Sequence, residues 1–282
     1  MNDRLYLGAL GLVPKNALSR TVGQLAHSRL PGPLGQASVK AFARAYDINI
    51  DEAEHPIDHY RSIGEFFTRR LRPGARPIHQ APQCAVSPAD GVFANGGKMN
   101  QGNLIQAKGF TYSAAEMLGD VELGRRFRQG HWATVYLSPR DYHRVHHPVE
   151  GRIVKSNHIP GRLWPVNRPA VENIPNLFCI NERVITYVES PIGLVATVMV
   201  GATSVGHMSM AYDDEIQSNR PSIEGTVRTY TPSPEVVRGA ELGVFHLGST
   251  AVVLFENPDL VLEPRPDGSP IRMGQPLARV KS

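Results

Sequence analysis

The sequence predicts an α+β protein, with a helical N-terminal part over residues 1–70 followed by a β-rich, sandwich- or barrel-like body over residues 71–282. Three observations predict this. Apolar residues recur at helical spacing across the first 70 residues, short β-rich runs take over from about residue 84, and few long helical patterns interrupt those runs.

Leu18, Val22 and Leu25 fall at i, i+4 and i+7, and Val39, Phe42, Ala43 and Tyr46 repeat the stripe, so two helices are expected. Pro31, Gly32, Pro33 and Gly35 break the chain between them. Ser62 and Glu65 stand at capping-box spacing before Phe66 and Phe67, which starts a third helix that Pro73-Gly74 stops. Further on, the runs 132–137, 183–188, 193–201 and 251–255 are β-rich and bounded by Gly, Pro, Asn and Asp turns. The chain holds neither an internal repeat nor a low-complexity segment.

At 282 residues, 41% apolar and 20% charged, the composition is that of a globular protein with a substantial core, which excludes disordered and fibrous classes. Cys84 and Cys179 lie far apart without a CxxC partner, so two buried thiols in a reducing cytoplasm are expected rather than a disulfide framework. Charge is unevenly placed. Residues 1–46 carry Arg4, Lys15, Arg20, Arg29, Lys40 and Arg44 against Asp3 alone, a formal +5, so within the net +4 the remainder sums to −1. A basic end on a nearly neutral body fits an anionic partner, lipid or nucleic acid, as well as a solvated basic face. No segment approaches the ~20 apolar residues that span a bilayer. The run 5–13 is short, contains two glycines and leads to Pro14 without a small-residue cleavage site, so no signal peptide is expected. Short helices that are apolar on one side and basic on the other suit a membrane interface, and equally a helix packed on its own core.

Four stretches carry chemistry: Ser87-Pro88-Ala89-Asp90-Gly91, Tyr142-His143-Arg144-Val145-His146-His147-Pro148, Val200-Gly201-Ala202-Thr203 and Leu247-Gly248-Ser249-Thr250. Singly they are dull: Asp90-Gly91 is a turn pair, Gly248-Ser249-Thr250 can open a strand, and a His-rich stretch is often a surface loop. Together they hold the parts of an Asp–His–Ser relay. A serine hydroxyl needs an imidazole to take its proton, and a carboxylate fixes the imidazole tautomer.

The Leu247-Gly248-Ser249-Thr250 stretch, preceded by Gly243-Val244-Phe245-His246, resembles the cleavage motif of bacterial phosphatidylserine decarboxylase proenzymes. Matching blocks run through most of the chain: Phe66-Phe67-Thr68-Arg69 with Leu71-Arg72-Pro73, residues 87–91, Gln106-Ala107-Lys108-Gly109, and residues 137–146. They continue through Asn173, Pro175-Asn176-Leu177-Phe178, Asn181-Glu182-Arg183-Val184 and residues 200–203 to Gly274-Gln275-Pro276-Leu277. The resemblance implies a self-processing, pyruvoyl-dependent lyase. Ser249 attacks the carbonyl of Gly248 to make an ester; elimination then cuts the chain between residues 248 and 249, and residue 249 becomes a pyruvoyl group. By the family pattern Asp90 orients His146 and His146 takes the Ser249 proton, with backbone donors near the cut bond stabilising the oxyanion. His143 is then the acid that protonates the substrate carbon. The pyruvoyl carbonyl supplies the electron sink that decarboxylation of an amino acid needs, here turning phosphatidylserine into phosphatidylethanolamine and carbon dioxide.

The same resemblance implies that both cleavage products stay associated, and that the enzyme lies peripherally on the anionic cytoplasmic face of the cell membrane. It implies no nucleic-acid partner and leaves room for a homodimer. His147, directly after the His143/His146 pair, departs from the pattern and is read as structural. Two rival readings stand beside this one. A zinc hydrolase would use Asp90, His143, and His146 or His147, but leaves Ser249 without a role. A non-catalytic adaptor on a lipid surface or nucleic acid would use only the basic N-terminal part.

Overall fold

Helices α1 (Lys15–His27) and α2 (Gly32–Ala45) form where the two apolar stripes place them. The computed structural model describes residues 7–8, 10–11, 13–107, 110–203, 207–216, 218–219, 224–246 and 249–281. Asp3, Arg4, Lys108-Gly109 and Leu247-Gly248 therefore lie outside the described residues, as does part of the run 5–13. The stripes are not used alike. In α1 the buried residues are Lys15, Ser19 and Gly23, whose i, i+4, i+8 spacing turns one ridge inward, while Leu18 and Leu25 stay exposed. In α2, Val39 and Ala43 enter a small apolar cluster with Ile48, Tyr60 and Phe66.

Helix α3 (Ile63–Phe67) starts as expected, with the Ser62 hydroxyl accepting from the Glu65 amide at 3.1 Å. The reciprocal half of the capping box is shifted by one residue, because the Glu65 carboxylate accepts from the Arg61 amide. The helix also ends at Phe67, well before Pro73-Gly74. Four more helices had no legible period because each is at most six residues long: α4 (Ala114–Leu118), α5 (Val121–Arg126), α6 (Arg168–Asn173) and α7 (Leu177–Ile180).

The strands that surround the site are β1 (Gly91–Lys98), β2 (His131–Leu137), β3 (Arg144–His146), β4 (Gly151–Ile159), β5 (Arg183–Ser190) and β6 (Gly193–Val200). They continue with β7 (Met208–Met210), β8 (Thr226–Thr229), β9 (Glu235–Val236), β10 (Glu241–Phe245), β11 (Ser249–Phe255) and β12 (Ser269–Ile271). A nine-stranded sheet runs β8-β4-β5-β6-β11-β2-β1-β12, with β9 beside β4. Its end strands do not pair, so the body is an open antiparallel sheet with smaller sheets around it, and the barrel alternative is corrected. One smaller sheet, β7-β10-β3, carries the histidine stretch. All seven residues of β11 are buried between β6 and β2. Since alternate side chains point to opposite faces, burial of every residue means that both faces of the strand are covered, which explains why the run 251–255 is continuously apolar.

Candidate active site

Backbone pairing brings the four chemical stretches together. Ser249 opens β11 opposite Leu137 of β2, and the next residue, Thr250, pairs with Val200, just ahead of Gly201-Ala202-Thr203. The His146 amide donates to the Pro88 carbonyl at 2.7 Å, tying β3 to the Asp90 loop. The His143 carbonyl accepts from the Phe245 amide at 3.0 Å, so the histidine stretch also borders the strand that leads into the 247–249 segment. Gly91 makes the turn out of the Asp90 loop: φ is +154°, and a Cβ there would lie 2.2 Å from the Tyr136 carbonyl oxygen. No other residue permits that approach of β1 to β2.

Ser249 is 1% exposed and its hydroxyl has no hydrogen-bond partner among the described residues. It lines a cavity of about 550 Å³ with Val22 and Leu25 of α1, Phe42 of α2, and Ala202 and Thr203. The cavity is walled mainly by apolar side chains, and the helical N-terminal part forms one side of it.

The side chains of the expected relay make other bonds in the intact chain. Asp90 is clasped by Arg76, whose Nε donates to both carboxylate oxygens at 2.9 and 3.0 Å, and it also accepts from the Met273 amide at 2.8 Å. The other arm of Arg76 reaches Glu52 at 2.7 Å, and the two carboxylates hold the guanidinium charged. His146 donates from Nδ1 to the Gly239 carbonyl at 2.8 Å, which leaves the Nε2 lone pair to accept from the Tyr142 hydroxyl at 3.1 Å. Burial lowers the His146 pKa, whereas the Gly239 carbonyl and the nearby charges of Glu241 and Asp90 act in the opposite direction. Asp90 thus acts on His146 through charge and not through a hydrogen bond.

His143 is fully buried against the Phe67 ring, 3.9 Å between centroids. Its Nδ1 donates to the Asp141 carbonyl at 2.9 Å, and Nε2 has no partner among the described residues. Burial pulls its pKa down to about 3, so the ring is neutral near pH 7. In the uncleaved chain, desolvation thus penalises the charged form that a proton donor at this position needs. His147 faces Tyr212, with its pKa lowered to about 4, again by burial first. The three imidazoles therefore turn to three different neighbours. Among the described residues no group of three or more His, Cys, Asp or Glu side chains is placed to hold a metal, so the donor set of the zinc reading does not assemble. Sequence reasoning missed Arg76 and the hydroxyl of Tyr142, since a lone Arg-Pro after a turn and a Tyr beside a His carry no periodic signal.

The sequence profile of the family described as "Phosphatidylserine decarboxylase" matches residues 63–279. The chain belongs to this family. Proteins named "Phosphatidylserine decarboxylase proenzyme" are similar to it over nearly their whole length. The one from Anaeromyxobacter sp. (strain K) is 47% identical over 280 residues, covering 98% of this chain and 99% of the relative. That from Myxococcus xanthus (strain DK1622) is 44% identical over 257 residues, 91% of each chain, and one from Vibrio cholerae is 40% identical over 285 residues, 98% of this chain and 99% of the relative. The family read from the motif blocks is the family that these relatives name.

Proposed function

We propose that the chain cuts itself between Gly248 and Ser249 and then, with residue 249 as a covalent pyruvoyl group, decarboxylates phosphatidylserine to phosphatidylethanolamine and carbon dioxide. The setting of Ser249 carries this reading: in a chain of this family, a buried, unpartnered hydroxyl opens a central strand on the wall of an apolar cavity. Such a hydroxyl becomes a nucleophile only when a base removes its proton. We assign that base to His146. It is neutral, its tautomer is held by Gly239, and its Nε2 lone pair becomes available once the Tyr142 hydroxyl moves aside. Asp90 supplies the negative charge that favours the resulting imidazolium, and Arg76 holds Asp90 in place.

Ser249 fits a pyruvoyl group because residue 249, whose carbons keep that group, lies on the cavity wall. Its side-chain oxygen would leave with the Gly248 carboxylate, water would supply the keto oxygen, and the nitrogen would leave as ammonia. Once formed, that group supplies an electron sink for the electrons that carbon dioxide leaves behind. His143 is the residue we assign to the substrate proton. It must first be charged, and an anionic substrate beside the ring favours the protonated form against the burial that opposes it.

The same reading places the protein peripherally on the anionic cytoplasmic face of the membrane. Leu18, Leu25, Leu30 and Leu34 are exposed on or beside α1 and α2, in the segment that also carries Arg20, Arg29 and Arg44. No helix among the described residues is long and apolar enough to cross a membrane. The division at residue 70 is supported by the apolar cluster of Val39, Ala43, Ile48, Tyr60 and Phe66, which is separate from the core of the body. Intact mass spectrometry tests the central claim. The purified protein should give chains 1–248 and 249–282, the second blocked at its N-terminus, and Ser249→Ala should give one chain of about 31.0 kDa. Cutting at the same bond in Ser249→Ala would remove Ser249 as the nucleophile.

A further inference from the structure

Where the end of α1, helix α3 and strand β3 meet, a second cavity of about 480 Å³ opens. It shares no lining residue with the Ser249 cavity. Five guanidiniums face two carboxylates there, Glu54 and Glu65. Arg29 is engaged by Glu65 at 2.8 Å, and Arg144 by Glu241 at 2.8 Å. Arg61, Arg69 and Arg70 have no ion pair to a carboxylate among the described residues.

Arg69 decides what the cavity is for. It is 4% exposed, yet it is held only by long contacts to the carbonyls of Phe66 and Arg140, at 3.4 and 3.2 Å, and by the Phe66 ring. Its Nε has no hydrogen-bond partner among the described residues. A buried guanidinium that no carboxylate contacts is costly, and burial lowers its pKa from the ordinary value against the opposing charges of Asp90, Asp141 and Glu52. The rigid fork of an arginine matches the oxygens of a phosphate, and neighbouring guanidiniums add to that match.

We propose that this cavity binds a phosphate-class anion, supplied in the membrane-bound protein by the head group of a phospholipid other than the one at Ser249. The anion completes the hydrogen bonding of Arg69 and is closed in by the exposed side chains of Arg61 and Arg70. The lipid source follows from position. Arg29, on the cavity wall, lies in sequence between the exposed residues Leu25, Leu30 and Leu34. That source rests on the membrane reading given above; the anion site itself does not, nor does it depend on self-cleavage.

Two measurements on the full chain test it. In the first, inorganic phosphate is titrated against sodium chloride at matched ionic strength while thermal unfolding is followed. The wild type should gain stability with phosphate beyond the salt control. Arg61→Gln/Arg70→Gln, which alters only exposed side chains, should need about tenfold more phosphate for the same gain, and Arg69→Gln should show none. In the second, sedimentation with vesicles of phosphatidylglycerol and phosphatidylcholine is compared for wild type and the Arg61/Arg70 variant. Weaker binding of the variant, with unchanged binding to phosphatidylcholine alone, assigns the phosphate to lipid. A phosphate response without a vesicle difference keeps the anion site and makes its ligand a soluble phosphate. Neither a phosphate response nor a vesicle difference, or a phosphate response undiminished in Arg61→Gln/Arg70→Gln, overturns the proposal. If Arg69→Gln does not fold, the exposed double variant still decides.

Discussion

At the scale of single residues, the proposed roles of His146, His143 and Tyr142 separate in time. His146→Ala should leave the chain largely uncut, slowed by the factor of about 10²–10⁴ that a positioned base contributes. Asp90→Asn removes a charge that acts on His146 without a hydrogen bond, so cutting should slow by about tenfold or more, less than loss of the base itself. Arg76→Gln should mimic it, because Asp90 then loses the guanidinium that holds it. Tyr142→Phe uncovers the Nε2 lone pair and should cut at least as fast as wild type. Gel analysis over time reads all four. A blocked Tyr142→Phe would mean that the phenol takes part in the proton transfer instead of guarding it. His143→Ala should still cut, yet release little carbon dioxide from phosphatidylserine. An uncut His143→Ala beside a normally cut His146→Ala would exchange their roles. Asp90, His143, His146 and Ser249 were all legible as chemical residue types in motif order. Their partners were not, because Arg76, Gly239 and Tyr142 reach them through the fold.

At the scale of elements, β11 and the α1–α2 pair carry the consequences. β11 is hydrogen-bonded along its length to β2 on one side and β6 on the other. A cut before its first residue breaks neither ladder, so the products 1–248 and 249–282 should co-elute on gel filtration and part only in denaturant. Separation in native buffer would contradict this. On the helices, Leu30→Ser/Leu34→Ser removes exposed apolar surface that neither cavity uses. Leu30 is 48% and Leu34 63% exposed, so each loses on the order of 1 kcal/mol of burial in lipid, and vesicle binding should weaken while self-cleavage persists. Replacing Arg20, Arg29 and Arg44 by glutamate should also release the protein from anionic vesicles, with a dependence on salt that the leucine variant lacks. Sedimentation that ignores both changes would make this face an ordinary solvated surface. The apolar stripes of α1 and α2 were readable in advance, but their use was not: α1 turns Ser19 and Gly23 to the body and leaves Leu18 and Leu25 outside. Periodicity reports that a face is apolar, and packing decides what covers it.

At the scale of the whole molecule, buried histidines make stability depend on pH: burial lowers the pKa of His131, His143, His146, His147 and His246. His143 and His246 are lowered to about 3 and His147 to about 4, in each case by burial before any other cause. In the unfolded chain these rings take up protons near pH 6.5, so below that pH the unfolded state binds more protons than the folded one. Stability is therefore full above about pH 6.5 and should fall as pH drops toward 4. Thermal unfolding between pH 4 and pH 8 would show the slope, and His147→Gln should flatten it. A midpoint that does not change below pH 6.5 would show that these rings are protonated as easily in the folded protein as in the unfolded one.

The sequence by itself determined the helical beginning, the β-rich body, the family and the residue types at the site, because each is written in local spacing or in contiguous blocks. It determined a β-rich run over 251–255, while the structure starts that strand at Ser249 and buries it throughout. The tertiary structure alone decided that the sheet stays open, that Asp90 is clasped by Arg76, and that Gly239 sets the tautomer of His146. It alone placed Arg69 in a cavity where, among the described residues, no carboxylate contacts it. The reason is range. Hydrogen bonds and desolvation act over a few ångströms, and here the partners are brought that close from positions such as 146 and 239, whose separation along the chain leaves no pattern to read.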